Sequence, residues 1–293
     1  MKISKISIIG FIVSLTLIYY VFTYVVSVNS ILEILPFVSI SLFIASDIPY
    51  LIQSFIMGYK LKYVLDKCGK KVRYWNCFFS NSLGMFLSNI SLGRSGYLGA
   101  VIGLEGDKST SVGVVSGTIV VDIIARGFIV ILSLLFFDKF FVVSNEILLA
   151  MRYVVVIGVV LMIVGFIVLF FGSKIKLPQK FANLVCSFDI VRKYWLSVFL
   201  FSIAGWILRG FEWYILVRAC GFELSYIQCM IIHPLATVMR LIPISISGMG
   251  FVEITMVTLL PFIAPEKLVI FSMCDMVNNF LVDWVGLKVL VKK

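Results

Sequence analysis

Long apolar runs separated by short polar links follow one another from the beginning of the chain to its end. A helix needs about 20 mostly apolar residues to cross the hydrocarbon core of a bilayer, and most of these runs reach that length. The first run begins after Lys5, is longer than the apolar part of a signal peptide and lacks a small-residue cleavage site, so we interpret it as a spanning helix. The pattern predicts eight spanning helices, at residues 6–28, 31–57, 111–137, 146–172, 194–220, 225–241, a short helix up to about residue 263, and 266–290.

Residues 241–253 form a polar interruption within this apolar pattern. Pro243 removes a backbone donor, and Gly248 and Gly250 permit conformations that are closed to other residues. We expect the helix to break here, because unwound backbone at membrane depth survives only where protein or a water-filled cavity surrounds it. A tight turn between two short helices at the membrane surface is the alternative interpretation.

A second polar interruption lies in the first half of the chain. The segment 76–92 is apolar but short, contains asparagines and serines, and runs into Gly93-Arg94-Ser95-Gly96. We predict that it enters the membrane and returns on the same side, as a re-entrant element. Interrupted helices in the two halves of a chain are typical of inverted repeats around a site at the bilayer midplane, so the pattern favours such repeats.

The basic residues are concentrated in a few segments and predict the orientation of the protein. Segments 58–75 and 173–193 carry many of the cations and have apolar stripes at helical spacing, so we expect interfacial amphipathic helices on the cytoplasmic side. The links that contain Asn145 and Glu223 carry few cations and should face outside. We therefore predict a multi-pass protein of the cell (plasma or inner) membrane with both termini in the cytoplasm.

The composition agrees with a single transmembrane domain over residues 1–293. Of the 293 residues, 61% are hydrophobic and only 14% are charged, which excludes a soluble globular domain. The net charge of +10 lies beside apolar runs, where it attracts anionic lipids, so we expect no nucleic-acid partner. The six cysteines contain no CxxC pair and His233 stands alone, so we expect neither a metal nor a cofactor.

Several charged residues lie inside the predicted spans. A charge at the centre of a spanning helix costs about 2.5–3.5 kcal/mol, so such residues are functional candidates. Asp122 and Arg126 are four residues apart, and Arg209 and Glu212 are three apart. The members of each pair can therefore neutralise each other on one helical face.

Three arginines, at positions 94, 126 and 240, stand close to a glycine or to a helix break. A guanidinium group grips a phosphate through two hydrogen bonds, so an anionic lipid headgroup is its natural ligand. We predict that these arginines and Glu253 converge on one polar cavity. The candidate residues of the headgroup site and translocation path are Arg94, Gly96, Asp122, Arg126, Arg209, Arg240, Ser247, Gly248, Gly250 and Glu253.

Three short motifs resemble those of a known family. Residues 91–96 (SLGRSG) and 120–126 (VVDIIAR) resemble the Pro-Gly-Arg-x-Gly-Glu region and the later acidic-arginine helix of the flippase-like family. Residues 243–253 (PISISGMGFVE) resemble its Pro-Ile-Ser-x-x-Gly-Gly-x-Gly-x-x-Glu signature. This family is also described as the lysylphosphatidylglycerol synthase transmembrane region. The resemblance covers most of the chain and implies a membrane domain that moves a lipid headgroup between leaflets, with the matching arginines and glutamate along its path.

The chain departs from the family pattern at two positions. Tyr97 replaces the expected glutamate, and Ala100 stands where an arginine is common. These two positions bear on which lipid headgroup the protein prefers. The soluble aminoacyl-transferring domain of the synthases has no counterpart in these 293 residues, so we expect a stand-alone transmembrane region.

The expected function is the binding and translocation of an anionic phospholipid or of a polyprenyl-linked sugar lipid. Two alternatives stay open: a non-transporting partner that regulates a glycosyltransferase or another lipid-modifying enzyme, and an intramembrane lipid transferase. The sequence contains no GxSxG, no HExxH and no nucleotide-binding glycine loop after a strand, so we do not expect an enzyme.

Overall fold

The computed structural model of the protein describes residues 5–91, 94–141, 145–171, 182–240 and 248–291. These residues form helices and contain no strand, which confirms the predicted all-α class. The helices are α1 (Lys5–Tyr20), α2 (Val28–Ile34), α3 (Ile40–Lys67), α4 (Tyr74–Asn89), α5 (Lys108–Phe140), α6 (Asn145–Phe171), α7 (Ala182–Lys193), α8 (Trp195–Ala219), α9 (Tyr226–Met239), α10 (Phe251–Leu259), α11 (Pro265–Asp283) and α12 (Lys288–Val291). A π-helical turn (Val21–Val25) and three 3₁₀ segments (Leu35–Phe37, Ser95–Gly103 and Trp284–Leu287) connect or extend them.

Among the described residues, fewer helices have the length and hydropathy of a membrane span than the sequence predicts. In the described part of the chain, four helical runs are long and apolar enough to cross a membrane: α3, α5, α8 and Pro265–Val291. A bent pair, Ile12–Val25 with Val28–Phe37, raises the number to five if it counts as one span. The structure therefore supports an all-α membrane protein but not eight spans.

Local breaks explain part of this difference. The chain bends by 79° after the π-helical turn, so the first predicted span does not continue straight through residue 28. Pro36 lies in the 3₁₀ segment Leu35–Phe37, where its fixed backbone angle is tolerated, and the next long helix begins only at Ile40. Helices α9 and α10 have 14 and 9 residues, which is too short for a helix to cross a bilayer unaided.

The predicted interfacial segment 58–75 is largely part of a long helix. Helix α3 continues to Lys67, and Lys60 is fully buried in the bundle instead of facing the membrane surface. The second predicted interfacial segment, 173–193, corresponds in its later part to α7, and residues 173–181 lie outside the described residues. Helix α7 packs its buried Val191 against α5, where an added Cβ on Gly117 would lie 2.7 Å from that side chain.

Helix α4 and the 3₁₀ segment that follows it form a compact unit against α3. Helix α4 has 16 residues, and an added Cβ on Gly58 of α3 would lie only 2.8 Å from the Cα of Phe78 in α4. The missing side chain at Gly58 therefore allows the two backbones to approach closely. Re-entry of this unit into the membrane remains a prediction.

Polar residues begin two of the helices that surround the candidate site. Asp107 accepts hydrogen bonds from the backbone N–H groups of Ser109 (3.2 Å) and Thr110 (3.0 Å), which satisfies the first turn of α5. Ser225 and Gln228 form a reciprocal capping box at the start of α9. These caps define where both helices enter the bundle.

Candidate functional site

A cavity of about 320 Å³ lies between α3, α4, α5, α8 and α9. Helix α3 contributes Tyr50, Gln53 and Met57, which recur at three- and four-residue intervals and therefore share one face. Helix α8 contributes Ser202 and Arg209, which are about two helical turns apart and therefore also share one face of their helix. The polar lining from the remaining elements consists of Asn81, Ser88, Arg94, Ser95, Tyr97, Asp122, Arg126, His233, Thr237, Arg240 and Asn279.

At one part of the cavity wall, the lining residue Asp122 is paired with a lysine behind it. The Nζ atom of Lys60 lies 2.7 Å from Oδ1 and 2.9 Å from Oδ2 of Asp122, and the Ser202 hydroxyl donates to the same carboxylate. The predicted neutralisation of Asp122 by Arg126 is therefore wrong. Lys60, which α3 carries into the bundle, takes that place, while Arg126 lies over the ring of Trp206 at 5.9 Å.

A second part of the wall contains two arginines that are tied to carboxylates. Arg209 pairs with Glu212, as its spacing predicted, and also with Asp275 of α11 at 3.1 Å. Arg240 pairs with the other oxygen of Asp275. The indole N–H of Trp213 donates to Asp275 Oδ1 at 2.8 Å, and both carboxylates are fully buried. This network joins α8, α9 and α11.

Arg94 and Arg126 also line the cavity, but neither forms an ion pair with a carboxylate of the described residues. Arg94 donates through Nε to the Ser88 hydroxyl (3.0 Å) and through Nη2 to Oδ1 of Asn89 (3.1 Å). Its backbone has φ 59°, a conformation that non-glycine residues seldom adopt. Residues held in this way are frequent at ligand sites, where the surrounding structure enforces them.

The glycines of the helix break have the conformations that the sequence predicted. Gly248 has φ 76° and Gly250 has φ 84°. An added Cβ on Gly248 would lie 2.8 Å from the Cα of Arg240, so the backbone at Gly248 packs directly against that residue. An added Cβ on Gly250 would lie 2.2 Å from the Cβ of Leu17 in α1. Ser247, the remaining candidate in this stretch, lies outside the described residues.

Glu253 does not line the large cavity, contrary to the prediction that four charges converge there. Its side chain folds back to accept hydrogen bonds from the backbone N–H of Gly250 (2.7 Å) and from the Ser272 hydroxyl (2.6 Å). This arrangement caps the first turn of α10. Glu253 instead lines a small cavity of about 10 Å³, which shares Arg240 and Asn279 with the large one.

Gly96 supports the cavity wall without lining it. Its backbone N–H donates to the Ser91 hydroxyl at 2.8 Å, and an added Cβ would lie 2.2 Å from the carbonyl oxygen of Leu87. The two departures from the family pattern lie nearby. Tyr97 lines the cavity and donates to Oδ1 of Asn81 at 2.6 Å, whereas Ala100 is fully buried.

Sequence reasoning missed three residues of this site. Lys60 lies in a segment that the sequence predicts to be interfacial, although its spacing from Gln53 and Met57 places it on the face of α3 that lines the cavity. Asp275 is a charge inside the predicted span 266–290, but its partners come from other helices, and Tyr50 carries no local signal. His233, which stands alone in the sequence, is buried, packs against Trp213 and also lines the cavity.

An all-α chain with helices of bilayer length and an arginine-lined cavity inside the bundle defines a multi-pass membrane protein with an internal polar site. The chain belongs to the family described as the lysylphosphatidylglycerol synthase TM region, whose model matches residues 7–285. The resemblance inferred from the motifs is thereby confirmed. No curated protein matches the chain.

Proposed function

We propose that the cavity binds the anionic headgroup of a lipid and that the protein moves this lipid between the two leaflets of the membrane. The observation that carries the proposal is the presence of Arg94 and Arg126 in the cavity wall without a carboxylate partner among the described residues. Uncompensated cations inside a membrane protein are costly, and a bound anion compensates them.

A phosphate group fits these two arginines best. A guanidinium presents its N–H donors in a planar fork that matches two oxygens of a phosphate, and such charge-assisted bonds are stronger than neutral ones. Arg94 donates through Nε to Ser88 and through Nη2 to Asn89, which leaves Nη1 and the second N–H of Nη2 for a ligand. The pair can therefore hold one phosphate between the segment after α4 and α5.

The volume of the cavity suits a headgroup without its acyl chains. Small-molecule sites typically measure roughly 300–1,000 Å³, and the observed 320 Å³ lies at the lower end of that range. The lining also includes Leu98, Ile119 and Ile123, and Leu98 is 48% exposed. These apolar residues provide a side along which the chains of a lipid can leave the cavity toward the membrane while its headgroup stays inside.

The orientation of the protein is part of the proposal. We place the basic link between α3 and α4 in the cytoplasm and the link between α8 and α9 outside, in the cell (inner) membrane, because cations accumulate on the cytoplasmic side. Single cysteines introduced at Lys70 and Glu223 test this in intact cells. A membrane-impermeant maleimide should label the cysteine at position 223 and not the one at position 70, and the reverse pattern would contradict the orientation.

Reconstitution tests transport directly. The purified protein is placed in vesicles that contain fluorescent phosphatidylglycerol, and the fraction of label accessible to an external quencher is followed with time. We expect the protein to accelerate exchange, and Arg94→Gln with Arg126→Gln to abolish the acceleration. Arg73→Gln is the matched control, because it removes the same charge from an exposed position before α4.

The outcome also separates the proposal from its alternatives. Headgroup binding without any exchange by the native protein would contradict transport and favour a non-transporting partner of a lipid-modifying enzyme. Chemical turnover of a lipid donor would favour an intramembrane transferase.

A further inference from the structure

Asp283, the last residue of α11, is a buried carboxylate directly behind the wall of the cavity. It is fully buried and forms no ion pair with a described residue. Its Oδ2 accepts hydrogen bonds from the Tyr50 hydroxyl (2.8 Å) and from Nδ2 of Asn89 (2.9 Å). No described group bonds to its Oδ1. A carboxylate in such surroundings is costly in its ionised form unless a cation nearby compensates it.

Two hydrogen-bonded routes connect Asp283 with the cavity. Tyr50 lines the cavity and donates directly to the carboxylate. Asn89 donates to the carboxylate through its amide nitrogen and accepts from Arg94 through its amide oxygen. Asn89 therefore links Asp283 to Arg94, the arginine that we assign to the headgroup.

The charged and titratable groups that face Asp283 come from three other parts of the fold. Helix α4 itself presents only the uncharged amide of Asn89. The groups are Tyr50 from α3, Arg94 and Tyr97 from the segment after α4, and Arg209 from α8. Arg209 lies 4.2 Å from the centre of the Tyr50 ring and is already paired with Glu212 and Asp275. Arg94 is consequently the cation without another carboxylate.

Occupation of the cavity changes the balance of these charges. In the empty protein, an ionised Asp283 would be compensated by Arg94 across Asn89. An anion bound to Arg94 supplies that compensation itself, so the buried carboxylate loses its counter-charge. Protonation then removes the uncompensated charge.

We propose that Asp283 is a proton-binding site linked to the headgroup site, so that binding of an anion at Arg94 causes Asp283 to take up one proton from solution. The inference rests on the proposed function, because the anion is the phosphate of the headgroup. Tyr50 touches both the cavity and the carboxyl group and provides the path for the proton. An anion that enters together with a proton adds no net charge to the membrane interior, which favours movement of the loaded site.

Calorimetry with the purified full chain tests this linkage. The probe is glycerophosphoglycerol, a soluble phosphodiester whose phosphate does not titrate near neutral pH. Binding heats measured in two buffers with different heats of protonation count the protons taken up per anion bound. We expect uptake approaching one proton, and affinity that increases about tenfold for each unit by which the pH falls across the titration range.

Substitutions assign the uptake to a residue. Asp283→Asn has nearly the same shape as the protonated carboxyl group and should bind the probe without proton uptake and with an affinity independent of pH. Asp66→Asn is the matched control, because Asp66 forms an exposed pair with Lys62 and should leave the uptake unchanged. Equal uptake in the native protein and in Asp283→Asn would overturn the proposal.

Two further outcomes distinguish this inference from the proposed function. Binding by the native protein without proton uptake would overturn the linkage alone, whereas no binding at any pH would overturn both. Tyr50→Phe removes one donor to the ionised carboxylate and keeps the ring, so it serves if Asp283→Asn does not fold. We expect its uptake to be centred at a higher pH, and an unchanged pH profile would overturn the proposal.

Discussion

Four arginines line one cavity, but the protein surrounds them in two different ways. Arg209 and Arg240 share the fully buried Asp275, which lies on a third helix. Arg94 and Arg126 form no ion pair among the described residues: the first bonds to hydroxyl and amide groups, and the second lies over an indole ring. Two of the four arginines therefore have a carboxylate of the fold as their counter-charge, and the other two have no ion-pair partner among the described residues.

This difference indicates two roles for one residue type. A buried arginine that is paired with a carboxylate contributes to holding the helices together, and removal of its partner leaves a charge that the interior cannot solvate. An arginine without a built-in partner keeps its donors for a ligand. Substitution at the paired residues should therefore change stability first, and substitution at the unpaired residues should change binding first.

The largest effect is expected for Asp275→Ala. The substitution leaves Arg209 and Arg240 without their shared carboxylate, so we expect a loss of about 3–5 kcal/mol in the free energy of unfolding. Denaturant unfolding in detergent measures it. Asp66→Asn is the control, since it breaks an exposed pair whose contribution is about 0–1 kcal/mol. A loss below about 1 kcal/mol in Asp275→Ala would contradict a structural role for the network.

Arg126→Gln should weaken ligand binding and leave the stability of the fold nearly unchanged. We expect binding of glycerophosphoglycerol to weaken by roughly tenfold to a hundredfold, the equivalent of one charge-assisted hydrogen bond, with little change in unfolding. Arg94→Gln should act similarly, and the double variant should lose less than the sum of both because the two arginines share one phosphate. Arg126→Lys should restore binding only in part, because an ammonium lacks the fork. Unchanged binding in both single variants would remove the distinction between the two pairs.

Gly248→Ala should reduce both the stability of the fold and ligand binding, but to a smaller extent. The alanine must adopt a positive φ, which costs about 1–3 kcal/mol, and its Cβ would collide with the backbone of Arg240. Gly69→Ala is a matched control, because Gly69 has φ 73° and nothing lies within 4 Å of its added Cβ. Unfolding measurements on both variants isolate the contact with Arg240. Equal losses would show that this contact adds nothing to the backbone strain.

The smallest effect concerns Asp107, which lies at the start of α5 outside the spanning part. Hydrogen bonds from the Thr110 hydroxyl and N–H hold the pKa of Asp107 below its usual value of 3.8. Its contribution is therefore present above that value and is lost as the pH falls toward the lower pKa of the folded protein. Asp107→Asn keeps a cap that does not titrate, so its unfolding should depend less on pH in this acidic range. An identical acid dependence in both proteins would contradict the assignment and would leave the buried pairs as the acid-sensitive groups.

The class of the protein and several local features follow from the sequence alone. The length of its apolar runs specifies helices in a membrane, because the bilayer requires backbone groups to be satisfied within one segment. The pairing of Arg209 with Glu212 followed from their spacing on one helix. The positive φ angles at Gly248 and Gly250 followed from the residue type, because glycine adopts such angles without steric cost. Each of these features depends on a few neighbouring positions.

Which charges meet depends on how the helices pack against one another. Lys60 and Asp122 are 62 residues apart in the chain, and their contact depends on how α3 and α5 are rotated toward each other. Glu253 turns toward the start of its own helix. Fewer described helices qualify as spans than the hydrophobicity suggested, in part because α9 and α10 are short and the chain bends sharply after the π-helical turn. Periodicity shows which face of a helix is polar, but the rotation and offset of each helix against its neighbours decide which partner that face receives.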